Sequence, residues 1–170
     1  MHDSSIETVP VDSPERINRT AALARTVWRE HYTPIIGAEQ VGYMLEHFQS
    51  EAAIARQIAD GMDYFLLQSG GKDAGYFALV PAENAVMLSK LYVASTFRKH
   101  GIAAKALEFI EAYCRSHGAP LLWLTVNKNN TLALAWYEKT GFRNAGPVVA
   151  EIGGGYVMDD YRMEKSIPPQ

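Results

Sequence analysis

The stretch FRKHGIAAKAL, residues 97–107, places a basic triplet and one glycine directly before an alanine-rich segment with helical periodicity. Positive charge at a helix N-terminus is unfavourable, because the helix dipole is already positive there. The backbone N–H groups at such an end bind anions, and Gly101 lets a ligand approach the backbone closely. The sequence therefore predicts that Arg98, Lys99 and His100 meet a bound anion. Considered alone, the stretch is more often a solvated basic turn than a binding site.

Length and composition indicate one globular domain spanning residues 1–170. Of the 170 residues, 48% are hydrophobic and 21% are charged. The 16 Lys and Arg against 19 Asp and Glu argue against a nucleic-acid surface and slightly favour a cationic small substrate. Cys114 is the single cysteine, so no internal disulfide forms. Together with a polar N-terminus and no long apolar run, this predicts a cytoplasmic protein that does not bind membranes.

The periodicity predicts helices, three strands, a helix, a strand, a helix and two strands, in that order. A short strand at residues 6–9 precedes a helix that Ser13 and Pro14 open and that ends near His31. Two short helices follow, then two strand-like runs joined by Ser-Gly-Gly-Lys-Asp, a sequence typical of hairpins. The later elements are a strand at about 86–93, a helix from Gly101 stopped by Gly118 and Pro120, a strand at 121–126, a helix closed by Gly141, and two final strands.

A second motif is NKNNTLALAWYEKTGF, residues 127–142. Asn130 is suited to cap the helix, and Tyr137 lies seven residues later, on nearly the same side. Taken singly, the two residues are better explained as a plain helix cap and a core aromatic residue. The motif gains meaning only in combination with the first.

Together the two motifs resemble the GNAT N-acetyltransferase superfamily. Arg98, Gly101 and Ala103 match its acyl-CoA signature, which follows a strand, SKLYVAS, and opens a helix. Asn130 and Tyr137, followed by EKTGF, are similar to the later helix of the superfamily. The likeness spans roughly residues 63–163. At a finer level, YMLEHFQS, LSKLYV, LTVNKNN and MDDYRMEK resemble the PaiA-like branch, which is associated with spermine and spermidine acetylation.

The resemblance implies an α+β fold, a twisted mixed β-sheet of about six to seven strands with helices on both faces. Its acyl-CoA-binding core would span about residues 63–163, and the helices at about 13–60 would line the acceptor site. Strands 86–93 and 121–126 would splay apart around pantetheine, and the loop before the helix would hold the pyrophosphate. The cofactor-binding residues implied are Leu91, Tyr92, Val93, Arg98, Lys99, His100, Gly101, Ile102, Ala103 and Asn130.

The implied reaction moves acetyl from acetyl-CoA to a primary amine by direct attack in a ternary complex, without a metal. Tyr137 is the expected general acid, because a tyrosine with a pKa near ~10 stays protonated at neutral pH. The Val93 N–H is the expected oxyanion donor, and Cys114 is expected to be a buried structural residue. The strand MLSKLYV carries no carboxylate, so the base stays open between Glu83, Glu30, His31 and water. Lys90 is expected to be edge-facing or snorkelling.

The acceptor site implied by the resemblance lies between the first helices and the late strands. Its candidate residues are Trp28, Tyr32, Tyr43, Glu46, Asp159 and Asp160, which would hold a cation through rings and carboxylates. Core packing and a solvated strand end are the alternatives. A polyamine is the leading acceptor, with other small amines and protein N-termini left open. A regulatory module that binds acyl-CoA without turnover is the other class considered, and the superfamily also allows a homodimer.

Overall fold

The elements of the fold follow the predicted order. A computed structural model describes residues 5–169. They form β1 (Ile6–Pro10), α1 (Pro14–Ile36), α2 (Ala38–Phe48), α3 (Glu51–Ala59), β2 (Asp63–Ser69), β3 (Lys72–Ala82), β4 (Ala85–Val93), α4 (Ile102–Ser116), β5 (Leu121–Asn127), α5 (Thr131–Lys139), β6 (Arg143–Gly153) and β7 (Tyr156–Ser166).

The strands form one 7-stranded sheet in the order β1-β2-β3-β4-β5-β7-β6. β4 and β5 are parallel, in register from Ala85 with Leu121 to Met87 with Trp123. β5 and β6 both pair antiparallel with β7. The prediction of an α+β fold with a mixed sheet of six to seven strands is confirmed.

The described chain divides into two compact units. The first unit comprises the residues up to Val80 together with Lys90–Ile110, and the second comprises Pro81–Ser89 and the residues from Glu111 onward. β4 therefore contributes its first half to the second unit and its last half to the first. The single domain predicted from composition stays a prediction. No helix within residues 5–169 is long and apolar enough to cross a membrane.

Helix α1 starts where the sequence predicted and ends later. The Ser13 hydroxyl accepts a hydrogen bond from the Arg16 N–H at 3.3 Å, and proline occupies the first turn. The predicted end near His31 is wrong, because the helix runs through Pro34 to Ile36. A proline breaks a helix by removing one N–H and crowding the preceding turn, but so near the end little helix remains to be disrupted. Gly37, with φ of 87°, then ends it.

The hairpin β2–β3 has a tight glycine turn, and further along β3 the backbone lies very close to the end of β4. Gly70 and Gly71 have φ of 59° and 79°, as a two-residue type I′ turn requires. Further along β3, a Cβ on Gly75 would lie 2.4 Å from the Tyr92 carbonyl oxygen, and the Ala94 N–H donates to the Ala74 carbonyl at 2.8 Å. A side chain at position 75 would therefore push the end of β4 away from β3.

Side-chain contacts of Lys165 join the helices of the second unit to β7. The Lys165 ammonium lies 2.9 Å from the Glu111 carboxylate near the end of α4 and donates to the Thr140 carbonyl at 2.6 Å. Cys114 is buried on α4, as predicted, and burial raises its pKa to about 11. Its thiol therefore stays protonated and serves packing.

Candidate active site

The loop before α4 has the backbone shape expected of an anion cradle. Lys99 and Gly101 have φ of 65° and 75°, both in the left-handed region. Residues 98–101 are exposed, whereas Ile102 is buried and anchors the first turn of α4. A Cβ built on Gly101 meets nothing within 4 Å, so the space before the helix N-terminus is open. Left-handed turns that precede a helix gather successive N–H groups into an anion site, and these residues fit the pyrophosphate of a CoA ester.

Two side-chain contacts fasten this loop within the first unit. The Arg98 Nε donates to the Val93 carbonyl at 3.3 Å, at the end of β4. The Ser95 hydroxyl donates to the Glu30 carboxylate of α1 at 2.9 Å. Glu30, one of the open candidates for the base, is therefore engaged by the loop. Arg98 still presents an exposed guanidinium on the turn.

The predicted cofactor strand, Leu91 to Val93, is half-buried. The Tyr92 carbonyl points at Gly75 of β3, and the Val93 carbonyl accepts the bond from Arg98. Neither finding concerns the Val93 N–H. The role of this strand in binding the cofactor, and that of the Val93 N–H as oxyanion donor, stay predictions.

Three buried aromatic residues and the half-buried Tyr92 form a cluster in the first unit. Trp28 stacks on Tyr32 with ring centroids 4.3 Å apart, and the Tyr92 ring lies 5.5 Å from Trp28 and 5.3 Å from Tyr76. Trp28 is only 2% exposed, and its side chain interacts with that of Tyr76, lowering the pKa of Tyr76 against the larger effect of burial. The Tyr76 hydroxyl donates to Gln49 at 2.9 Å. The structure thus brings the acceptor candidates Trp28 and Tyr32 together with Tyr92.

The other acceptor and base candidates of the first unit lie in separate surroundings. Tyr43 stacks on His47 at 4.1 Å, and Glu46 is exposed on the same helix. The His31 ring packs edge-on against Tyr32 at 4.8 Å. Glu83, in the second unit, is exposed in the turn between β3 and β4. None of these positions singles out a base.

Lys90 is buried, so the expectation of an edge-facing or snorkelling side chain is wrong. It is 7% exposed, and its ammonium donates to the Phe48 carbonyl at 2.7 Å, to Gln57 Oε1 at 2.9 Å and to the Tyr64 hydroxyl. Burial lowers the pKa of Lys90 to about 7. The physical reason is that α2 and α3 bring oxygen acceptors over the strand, which makes burial of the amine tolerable.

Asn130 and Tyr137 of the second unit occupy the positions predicted for them on α5. Asn130 is the N-cap, and its side-chain oxygen accepts from the Ala133 N–H at 3.4 Å. Tyr137 is buried, with its ring centroid 5.2 Å from those of Trp136 and Phe142. The cap is confirmed. A further role of Asn130 at the cofactor and the role of Tyr137 as general acid stay predictions.

The neighbouring carboxylates Asp159 and Asp160 on β7 differ in their exposure and in their partners. Asp159 has a side chain 54% exposed and lies 2.8 Å from the Lys128 ammonium. Asp160 is 7% exposed, and its Oδ1 is buried without a hydrogen-bond partner among the described residues. Burial raises the pKa of Asp160 to about 6; a hydrogen bond from Thr125 lowers it, and the Asp159 charge raises it further. Within residues 5–169 no group of three His, Cys, Asp or Glu side chains suits a metal ion.

The fold and the loop define a class of α+β protein in which a helix begins after a β-strand and a left-handed turn, the backbone arrangement of known phosphate sites. The chain belongs to the acetyltransferase (GNAT) family, whose sequence model matches residues 23–142. It is therefore an acetyl-CoA-dependent N-acetyltransferase, as the resemblance implied. The loop of residues 98–103 falls within the matched region.

Relatives and solved structures cover nearly the whole chain. An uncharacterized N-acetyltransferase of Mycobacterium bovis is 28% identical over 149 residues, which is 86% of this chain and 95% of the relative. The crystal structure of the PaiA N-acetyltransferase from Thermoplasma acidophilum, in complex with coenzyme A, has a TM-score of 0.79 at 22% identity, covering 95% of this chain and 99% of that one. A GCN5-related N-acetyltransferase from Rhodopseudomonas palustris has a TM-score of 0.80 at 19% identity, covering 98% of both chains. These structures share the fold.

Proposed function

We propose that the protein acetylates a primary amine of a flexible polycation, such as spermidine or spermine, by direct attack on acetyl-CoA in a ternary complex. The binding of acetyl-CoA, the acetyl donor, is supported by the exposed loop before α4, in which Lys99 and Gly101 have left-handed backbone conformations. Basic side chains and backbone N–H groups on the same turn suit a pyrophosphate. The reaction takes place in the cytoplasm in this proposal.

The donor would be held along β4 and the loop. Leu91, Tyr92 and Val93 would hydrogen-bond pantetheine in the manner of an added strand. The pyrophosphate would meet the turn, and Asn130 would contribute from the start of α5. The residues proposed for the turn are Arg98, Lys99, His100, Gly101, Ile102 and Ala103.

Tyr137 is proposed to protonate the departing thiolate. The chemistry needs a donor that holds its proton at neutral pH and releases it to a sulfur anion. Cys114 offers no alternative, because it is buried and its pKa is raised to about 11. The Val93 N–H would stabilise the oxyanion that develops at the acetyl carbonyl.

A cationic acceptor is supported by charge and by one buried polar atom. The chain carries a formal net charge of -3. Asp160 Oδ1, on an acceptor candidate, is buried without a hydrogen-bond partner in the described part of the chain, and an ammonium could donate to it. Buried polar atoms without protein partners are rare and call for a ligand or water. Tyr32, Tyr43 and Asp159 stay within the proposed acceptor site.

The test is CoA release from acetyl-CoA against spermidine, spermine, an aminoglycoside, free amino acids and short peptides. We expect release with the polyamines at the highest kcat/KM. Release with peptides alone would overturn the polyamine acceptor and favour protein N-termini. If no amine causes CoA release while calorimetry shows that acetyl-CoA binds, the regulatory module without turnover is favoured.

A matched pair of glycine variants tests the donor loop. Gly101→Glu puts a negative charge where we place the pyrophosphate, so acetyl-CoA affinity should fall at least about 100-fold. Gly118→Glu is the control, because Gly118 also has a left-handed φ, 63°, and open space, but follows the other end of α4. Both substitutions strain the backbone alike. An equal loss of affinity in the two variants would contradict the placement of the loop.

A further inference from the structure

One carboxylate of the second unit is buried without a counter-charge. Asp160 lies on β7, the strand between β5 and β6, opposite Asn127 on one side and Val148 on the other. A hydrogen bond from Thr125 reaches the carboxyl group, but its Oδ1 is buried and has no hydrogen-bond partner among residues 5–169. Within those residues no Lys, Arg or His nitrogen lies within salt-bridge distance of Asp160, so its charge is uncompensated. Burying a carboxylate in this way is costly unless a ligand supplies the missing partner.

The charged groups around Asp160 are already committed elsewhere. Alternation along β7 places Arg162 on the same face as Asp160, but its guanidinium bonds Glu164 at 2.9 Å and lies over the Trp123 ring at 4.0 Å. The remaining charged side chains on the strands beside it and at the end of β5 are Lys128 with Asp159 at 2.8 Å, Arg143 with Glu164 at 2.8 Å, Lys165 with Glu111 at 2.9 Å, and the exposed Glu151.

We propose that Asp160 binds the ammonium group of the acceptor and accepts its proton, acting as the general base of the reaction. This inference rests on the proposed function, since it requires an amine acceptor. A primary ammonium supplies N–H donors and a positive charge, which are what Asp160 Oδ1 lacks. The hydrogen bond to it would be charge-assisted.

The proton and electron pairs balance without another reactant. An N–H bond of the ammonium breaks and an O–H bond forms on Asp160, so the nitrogen gains its lone pair. That nitrogen forms the C–N bond with the acetyl carbon of acetyl-CoA, and the C–S bond breaks. The leaving sulfur takes the Tyr137 proton, and Tyr137 regains a proton from the acetylated nitrogen. Asp160 returns its proton to solvent.

Asp160 also suits this role by its proton affinity. Its pKa of about 6 leaves it ionised near neutral pH while keeping it a stronger base than an ordinary aspartate. Lys90 of β4 supplies no base, because its amine donates to the Phe48 carbonyl and to Gln57. Of the open candidates, Glu30 accepts from Ser95.

The first experiment compares Asp160→Asn with the wild type in spermidine acetylation from about pH 5 to about pH 9. Near pH 7 we expect kcat/KM to fall about 100-fold or more, the usual effect of losing a general base. The deficit should shrink as pH rises and the free amine becomes abundant. Glu151→Gln is the control, an exposed acid of the adjoining strand β6 whose loss should leave the profile unchanged. A deficit that is constant with pH would overturn the role as base.

A binding measurement separates this inference from the proposed function. Spermidine is titrated by calorimetry into wild type and Asp160→Asn, each saturated with CoA. We expect at least about tenfold weaker binding to the variant, because a charge-assisted bond is lost. If the wild type turns spermidine over and the variant binds it equally well, Asp160 is excluded and the function stands. If the wild type binds spermidine through Asp160 without turnover, the function fails and the ammonium contact stands.

Wild-type protein alone provides a further check that does not depend on folding of the variant. The carboxyl carbon of Asp160 is titrated by NMR with and without spermidine in the CoA complex. A bound ammonium lowers the pKa of the carboxyl, because it favours the charged form. An unchanged pKa in the presence of saturating spermidine would overturn the contact.

Discussion

Lys90 and Asp160 are both buried ionisable residues on β-strands, one in each unit, and their surroundings are opposite. The Lys90 amine meets the Phe48 carbonyl, Gln57 and the Tyr64 hydroxyl, whereas Asp160 Oδ1 meets no donor in the described chain. Burial moves both towards neutrality, lowering the pKa of Lys90 to about 7 and raising that of Asp160 to about 6. A buried group with its full set of partners maintains the fold, while one that is bonded by Thr125 but leaves a second oxygen unsatisfied is available to a ligand.

The largest expected effect is the loss of stability in Lys90→Met. The variant keeps an apolar stem of similar length but leaves the Phe48 carbonyl and the Gln57 and Tyr64 oxygens without the amine. Leaving buried polar groups unsatisfied costs about 1–3 kcal/mol each, partly offset because no amine is desolvated. We expect the free energy of unfolding to fall by about 3 kcal/mol in denaturant titrations.

Lys72→Met is the matched control for this prediction. Lys72 is exposed at the start of β3, in the same unit, so its loss should change the free energy of unfolding by no more than about 0.5 kcal/mol. Acetyl transfer per folded molecule should survive in both variants. A Lys90→Met protein that stays stable but has lost acetyl transfer would contradict the structural role of Lys90. It would assign Lys90 a role in the reaction instead.

The second effect has the opposite sign, since Asp160→Asn should stabilise the protein. The pKa of Asp160 is raised by folding, so its contribution to stability is fully present below the pKa of the unfolded chain and is lost as pH rises through about 6. Asparagine loses nothing over that range. The variant should therefore gain roughly 2 kcal/mol over wild type between about pH 4 and about pH 7, at 1.36 kcal/mol per pKa unit.

Denaturant unfolding at the two pH values measures this gain. A difference between variant and wild type that is the same at both would mean that water already solvates the carboxylate. Such a result would remove the contrast with Lys90. Gain of stability with loss of turnover is the pattern expected of a functional group held in an unfavourable environment.

Local signals in the sequence predicted the elements that short-range chemistry fixes. Ser13 with Pro14, the Gly70–Gly71 turn and the Asn130 cap each depend on neighbours within a few residues, and each is found. The left-handed backbone of Lys99 and Gly101 belongs to the same group, because a glycine and a helix start decide its shape. Gly101 and Asn130 are also part of the motifs that resembled the GNAT superfamily, and the match to the family model confirms that membership.

Local signals in the sequence could not predict the surroundings of Lys90. Its acceptors include a backbone carbonyl 42 residues away, which no side-chain pattern announces. Asp159 and Asp160 looked equivalent as neighbours in the sequence, yet strand alternation sends one outward to Lys128 and buries the other. The alternation along the strand showed that the two side chains lie on opposite faces. Which of them is buried depends on which face of β7 the other elements cover. Tertiary packing therefore decided the candidate base.

The smallest effect distinguishes these two neighbours. Asp159→Asn removes a half-exposed ion pair with Lys128, which is worth at most about 1 kcal/mol, so stability should hardly change. The Asp159 charge raises the pKa of Asp160, and its removal, with Lys128 left unpaired, should lower that pKa. The acidic limb of the kcat/KM profile should therefore move to lower pH, whatever the change in the height of its plateau. Disappearance of the acidic limb would identify Asp159 as the titrating base. In that case the carboxylate paired with Lys128 would react rather than Asp160, and an unsatisfied oxygen would no longer predict which carboxylate is the base.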